Sequence, residues 1–181
     1  MGLFLHKDGM KKKIDVDSWP RKSHYEYFQT FDCPMFSITF PVRVDALYRY
    51  ARENGLSFFA VCMFVLLKAL NEVPQFRQRV EDGDVWEYES VDALVPVLAA
   101  DGEFSQIVVE YRDSLSVFLE HALPLIQAAK GEPARANPCH RTDIAVFSCL
   151  PWMPFTQVAS AYRSSVSYTH LRAHETRSNL V

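Results

Sequence analysis

The chain has 181 residues and a net charge of −3; 49% of its residues are hydrophobic and 13% aromatic. That length holds one domain with a real core and is short for two, and the apolar content argues against disorder. The charge gives no electrostatic reason to expect a nucleic acid or a membrane surface as partner.

Four cysteines, Cys33, Cys62, Cys139 and Cys149, stand at irregular spacing with no C-x-x-C pair. They read as reduced thiols in a cytoplasmic protein rather than as metal or redox ligands. The apolar patch Leu3 to Leu5 is too short for a signal-peptide core. The longest apolar run, Leu56 to Leu67, ends at Lys68 and falls short of the roughly 18 to 20 residues a membrane span needs. A buried helix is the economical explanation.

In chain order, Met10 opens a segment that reads more like a protein start than the nine residues before it. Residues 36–44, FSITFPVRV, are β-branched and aromatic with partial alternation, which predicts a strand, with Pro41 marking an edge or a bulge. Asp45 is the expected N-cap of a helix that Gly55 stops. Ser57 caps a second, almost wholly apolar helix ending before Pro74. These two helices are expected to cover a sheet.

The strands of that sheet are expected at 85–88 after an Asp82-Gly83 turn, at 93–98, at 106–111 and at 143–148. Leu115, Phe118, Leu119, Ala122, Leu125, Ile126 and Ala129 predict a helix over 114–130, kinked or broken at Pro124. A Pro-rich loop follows over 131–140. Strands interspersed with helices, without strict βαβ alternation, indicate an α+β two-layer sandwich, a mixed β-sheet covered by helices on one face.

Three stretches carry a more specific signal. Residues 18–28 read SWPRKSHYEYF, residues 69–92 read ALNEVPQFRQRVEDGDVWEYESVD, and residues 148–156 read SCLPWMPFT. Their order, separation and content resemble the chloramphenicol acetyltransferase family, with its W-x-R-[KR]-x-H-[FY]-E-x-[FY], N-x-x-P-x-F-R and S-x-x-P-W-x-x-F-T segments. The resemblance spans about Met10 to Thr156. It implies acetyl transfer from acetyl-CoA, as co-substrate and not a bound cofactor, to a hydroxyl of chloramphenicol. It also implies a homotrimeric full-length parent whose active sites form between adjacent subunits.

Acetyl transfer to a hydroxyl passes through a tetrahedral intermediate whose oxyanion needs a placed donor. The resemblance puts Ser148 in that role and Trp152 against the coenzyme A tunnel. It makes Arg21 the partner of an aspartate beside the catalytic histidine, where a bidentate guanidinium orients a carboxylate well. Tyr27, Phe28, Phe36 and, more weakly, Phe104 become candidates for the acceptor pocket, although a core asks for the same residue types. Read alone, Ser148 is a serine ending a strand and Trp152 a tryptophan under a turn. Cys139-His140 lies in a Pro-rich loop, where adjacent residues rarely point at one another. The acidic run Glu81-Asp82-Gly83-Asp84 lacks the ligand spacing of a calcium loop. No metal site is expected.

The general base of the family is a histidine in a late H-H-x-x-x-D-G motif. No such motif occurs here, and His6, His24, His121, His140, His170 and His174 stand in no comparable context. Residues 166–181, VSYTHLRAHETRSNLV, resemble the conceptual translation of a sequencing-library adapter, although His170 and His174 would share one helical face. The expected organisation is an upstream extension over 1–9, a C-terminally truncated family domain over 10–160, and a non-native tail over 161–181. This chain is expected to be inactive and to leave a strand edge and an apolar face uncovered. Two other readings are a dihydrolipoamide acyltransferase-type catalytic domain and a non-enzymatic ligand-binding relative. The first lacks any lipoyl segment to support it; binding without transfer would mark the second.

Overall fold

The computed structural model describes residues 10–32, 34, 36–134, 139–149 and the backbone of 169–173. In chain order they form β1 (Lys11–Lys13), α1 (Lys22–Gln29), α2 (Asp45–Glu53), α3 (Phe58–Glu72), a 3₁₀ turn (Pro74–Arg77), β2 (Gln78–Glu81) and β3 (Asp84–Tyr88). Then follow β4 (Asp92–Leu98), β5 (Phe104–Val109), α4 (Leu115–Gly131), β6 (Ile144–Cys149) and β7 (Thr169–Ala173). Two sheets result, ordered β1-β3-β2 and β5-β4-β6-β7.

The small sheet is built on local chemistry. Asp82 and Gly83 both have positive φ, 52° and 84°, as a two-residue turn between twisted strands requires, so β2 and β3 pair in register from Val80↔Val85 outward. On the far side of β3 lies β1. Its three lysines suit an edge, where charge discourages further pairing. Lys11 Nζ sits 4.6 Å from the Trp86 ring centroid and Lys13 Nζ 2.6 Å from Asp84.

In the larger sheet β4 pairs antiparallel with β5 and parallel with β6, and β7 runs parallel beside β6. The sheet is therefore mixed, as expected, and α3 and α4 cover one of its faces. Ala93, Val95, Val97, Val109, Ala145 and Phe147 meet Met63, Leu67, Leu70, Phe118, Ala122 and Ile126 in one core. Each such large apolar side chain stabilises the fold by about 1.5–3 kcal/mol when buried. Ser57 caps α3 by accepting a hydrogen bond from the Ala60 amide at 3.4 Å.

Several expectations are corrected. Residues 36–44 pair with no described strand; Phe36, Ile38, Phe40 and Val42 stand 83%, 70%, 69% and 61% exposed. Alternation marks a face, but a strand also needs a neighbour for its N–H and C=O groups. Asp45 is not the cap of α2 but lies in its first turn, after Val44, where a carboxylate still complements the helix dipole. α2 packs on α3 through Ala51 and a Tyr48–Phe58 ring contact, while α4 supplies the second cover of the sheet. Helix α4 runs through Pro124. The proline is exposed, and so is Glu120, whose carbonyl loses its i+4 donor on the watered side of the helix. Strand β5 begins two residues earlier than its apolar run suggests.

Three polar joints tie these elements together. Asn71, at the end of α3, donates to the Val91 carbonyl at 3.0 Å and accepts the Val91 amide at 2.8 Å. Arg79, 1% exposed, donates to the carbonyls of Phe76, Gln78, Thr142 and Ile144 at 2.7–2.9 Å. Burial pushes its pKa down, against the opposing pull of Tyr88, Asp143 and Glu81. Arg141 clamps Asp143 through two hydrogen bonds of 2.8 and 2.6 Å and Asp92 through one of 2.6 Å, so the parallel β4–β6 pair is fixed at its start.

Candidate active site

Ser148 lies near the end of β6. Ala145 and Phe147 point into the helix-covered core, so the two-residue period puts Ile144 and Val146 on the opposite face and Ser148 in line with them, while Ser148, near the strand end, also borders the cleft between β6 and α3. The cross-strand partners Leu94↔Val146, Pro96↔Gln106 and Leu98↔Phe104 place Leu94, Pro96, Leu98 and Phe104 on that same face. Two strand spacings and two residues of rise separate Phe104 from Ser148, roughly 12 Å. The Ser148 hydroxyl makes no hydrogen bond with a described residue. A hydroxyl with no partner among the described residues, in line with a face that also carries the half-exposed Leu98 and Phe104, is what a donor to a transient oxyanion requires.

Upstream of Ser148 the strand is held firmly. Glu81 accepts from Thr142 Oγ1 at 2.5 Å and from Tyr88 and Lys11. Burial would raise the Glu81 carboxyl, but the hydrogen bonds from Lys11, Thr142 and Tyr88 outweigh it and hold the pKa below the ordinary 4.5. Asp92 accepts the Tyr111 amide at 2.8 Å, which anchors the end of β5. Burial and the neighbouring Asp113 push the Tyr111 phenol up to about 12.

Helix α1 carries the other candidates. Tyr27 and Phe28 are exposed and meet in an edge contact at 5.5 Å. Phe31, which the motifs do not single out, closes a three-ring cluster at 5.1 Å from Tyr27 and 5.7 Å from Phe28. Its i+3 and i+4 spacing was the available signal. Arg21 stands exposed at the N-terminal boundary of the same helix and finds no carboxylate partner among the described residues. Phe36 is exposed in the unpaired segment. Arg21, Tyr27 and Phe28 thus share one element, and Ser148 and Phe104 share one sheet face. Trp152 lies outside the described residues. His170 lies in the strand Thr169–Ala173, and His174 lies outside the described residues. Among the described residues no cluster of His, Cys, Asp and Glu could hold a metal ion.

The order of elements, the mixed sheet and the motif positions agree with one family. Its model, chloramphenicol acetyltransferase, matches residues 10–168. The chain belongs to the chloramphenicol acetyltransferase family. The match begins at Met10 and runs past Thr156, where the motifs themselves fade. Chloramphenicol acetyltransferase 3 of Escherichia coli is 24% identical over 148 residues, covering 79% of this chain and 68% of the relative. A chloramphenicol acetyltransferase of Klebsiella sp is 29% identical over 155 residues, covering 81% of this chain and 70% of the relative. A solved chloramphenicol acetyltransferase superposes with a TM-score of 0.82 at 28% identity, covering 92% of this chain and 82% of the other. Among the described residues no helix is long and apolar enough to cross a membrane.

Proposed function

We propose that this domain is built to move an acetyl group from acetyl-CoA to a hydroxyl of chloramphenicol, and that the 181-residue chain does not itself complete the reaction. The carrying observation is the Ser148 hydroxyl near the end of β6, which has no hydrogen-bond partner among the described residues and stands at the position of the family's S-x-x-P-W serine. In this reading the acceptor oxygen attacks the thioester carbonyl, and Ser148 Oγ–H donates to the oxygen that becomes negative. Tyr27, Phe28, Phe36 and Phe104 present aromatic surface to the acceptor, and Trp152 flanks the coenzyme. Arg21 awaits a carboxylate that would fix the geometry of the base.

Proton removal from the acceptor needs a general base within hydrogen-bond reach. With no H-H-x-x-x-D-G in the sequence, that proton has no acceptor of the family's kind. The parent assembles as a homotrimer in the cytoplasm, with sites shared between subunits. The exposed row from Phe36 to Val42 is the kind of uncovered apolar face that makes a chain self-associate.

A chloramphenicol acetylation assay on the purified chain tests the reading, with no turnover above the uncatalysed background expected. Turnover near that of the Escherichia coli relative would refute it. Binding of chloramphenicol without transfer would favour the ligand-binding alternative. The nucleotides encoding residues 166–181 decide whether that stretch is adapter-derived.

A further inference from the structure

Cys62 and Cys149 open on one cleft. On α3, Phe59, Cys62, Met63 and Leu66 recur at helical spacing and so share a face; on β6, Cys149 follows Ala145 and Phe147 at the two-residue period, toward the helices. Together with Phe147 and Ser148 these residues line a narrow apolar cleft. Its open volume is about 10 Å³, no more than a single water occupies, and both cysteines line it. Cys62 is buried and Cys149 partly exposed. Cys149 is also the last residue of its strand, where the backbone yields most easily to the Cα separation of about 4.4–6.8 Å that a disulfide requires.

We propose that Cys62 and Cys149 form an oxidisable thiol pair, with hydrogen peroxide or another two-electron peroxide as oxidant. The more accessible Cys149 thiolate attacks a peroxide oxygen; the O–O bond breaks, hydroxide leaves and takes up a proton as water, and Cys149 becomes a sulfenic acid. The Cys62 sulfur then attacks the Cys149 sulfur. The S–O bond breaks, and the departing hydroxide leaves as water with the Cys62 proton. Two thiols and one peroxide thus give one disulfide and two waters. The link ties α3 to the residue next to Ser148, so the oxidation state of the chain is written onto the strand that carries the proposed oxyanion donor. The inference is independent of acyl transfer, because it needs only the cleft.

The test is peroxide treatment of the folded chain followed by thiol blocking, non-reducing digestion and mass spectrometry. The expected result is a dominant Cys62–Cys149 linked peptide that dithiothreitol removes. Oxidation in urea should scatter the links over all four cysteines, which shows that the native pairing comes from the fold. In Cys62→Ser, Cys149 should accumulate as a sulfenic acid trapped by dimedone, and in Cys149→Ser, Cys62 should stay reduced. Should either variant unfold, the wild-type map decides alone. Blocked, unlinked Cys62 and Cys149 in the folded wild type, or links confined to Cys33 and Cys139, would overturn the proposal.

Discussion

Asn71 and Val91 are joined like two residues of a β-ladder, the side-chain amide of one donating to and accepting from the main chain of the other at 3.0 and 2.8 Å. The amide also donates to Leu67 at 2.9 Å. Val91 is fully buried, so its main-chain groups depend on Asn71 for partners. Asn71→Ala should therefore cost about 2 kcal/mol of stability by leaving buried main-chain groups without partners. Denaturant unfolding measures it, and Asn71→Asp, which keeps the acceptor and loses the donors, should fall between.

Arg79 serves four carbonyls from inside the protein. Arg79→Met should destabilise by on the order of 3 kcal/mol, since several buried acceptors lose their donors at once. Arg79→Lys should recover part of the loss, because one ammonium reaches fewer carbonyls than a planar guanidinium. Urea midpoints of the three chains check the order.

The Glu81 cluster sets an acid limit. Its carboxyl titrates below 4.5 in the folded chain, so its contribution is fully present above pH 4.5 and is lost as the pH falls through the lower folded value. Lys11 is held above 10.5 by its hydrogen bond to Glu81, against a smaller opposing effect of burial. Its share is fully present below pH 10.5 and is lost as the pH rises through the higher folded value. Unfolding midpoints measured against pH should fall at both ends, and Glu81→Gln should flatten both slopes. Unchanged slopes in that variant would remove Glu81 from the account.

A chimera in which this domain is continued by the corresponding part of the Escherichia coli relative should acetylate chloramphenicol. In it, Ser148→Ala should lower kcat by about 10²–10³-fold, the usual loss of one oxyanion donor, with an unchanged unfolding midpoint. An equal kcat in the variant would remove Ser148 from the mechanism.

The exposed row offers a separate check. Ile38→Asp combined with Phe40→Asp should change the unfolding free energy by no more than about 0.5 kcal/mol, as surface changes do, while reducing self-association and dye binding. Sedimentation of the chain and the double variant compares them.

Features written in neighbouring residues were legible from the sequence: the Ser57 cap, the Asp82-Gly83 turn and the apolar length of α3. Features that depend on distant partners were not. Lys11–Lys13 shows no apolar alternation and becomes a strand only because β3 is beside it, whereas 36–44 alternates in part and finds no neighbour among the described strands. Helix α1 starts without a side-chain cap, so no local signal announced it. Ser148 could be picked out only through the motif around it, because a serine ending a strand is ordinary. The parts played by Arg79 and Asn71 arise from contacts across the fold, which residue type alone does not disclose.

The parallel pairing of β4 with β6 also orders events in time. Hairpins β2–β3 and β4–β5 close over short loops, but Asp92 meets Ile144 only after β5 and α4 have been traversed. Long loops are slow to close, and synthesis delivers the N-terminal elements first. The strand bearing Ser148 is therefore inserted late, into a scaffold whose hairpins and helices already stand. Mutations in β6 should consequently speed unfolding more than they slow folding.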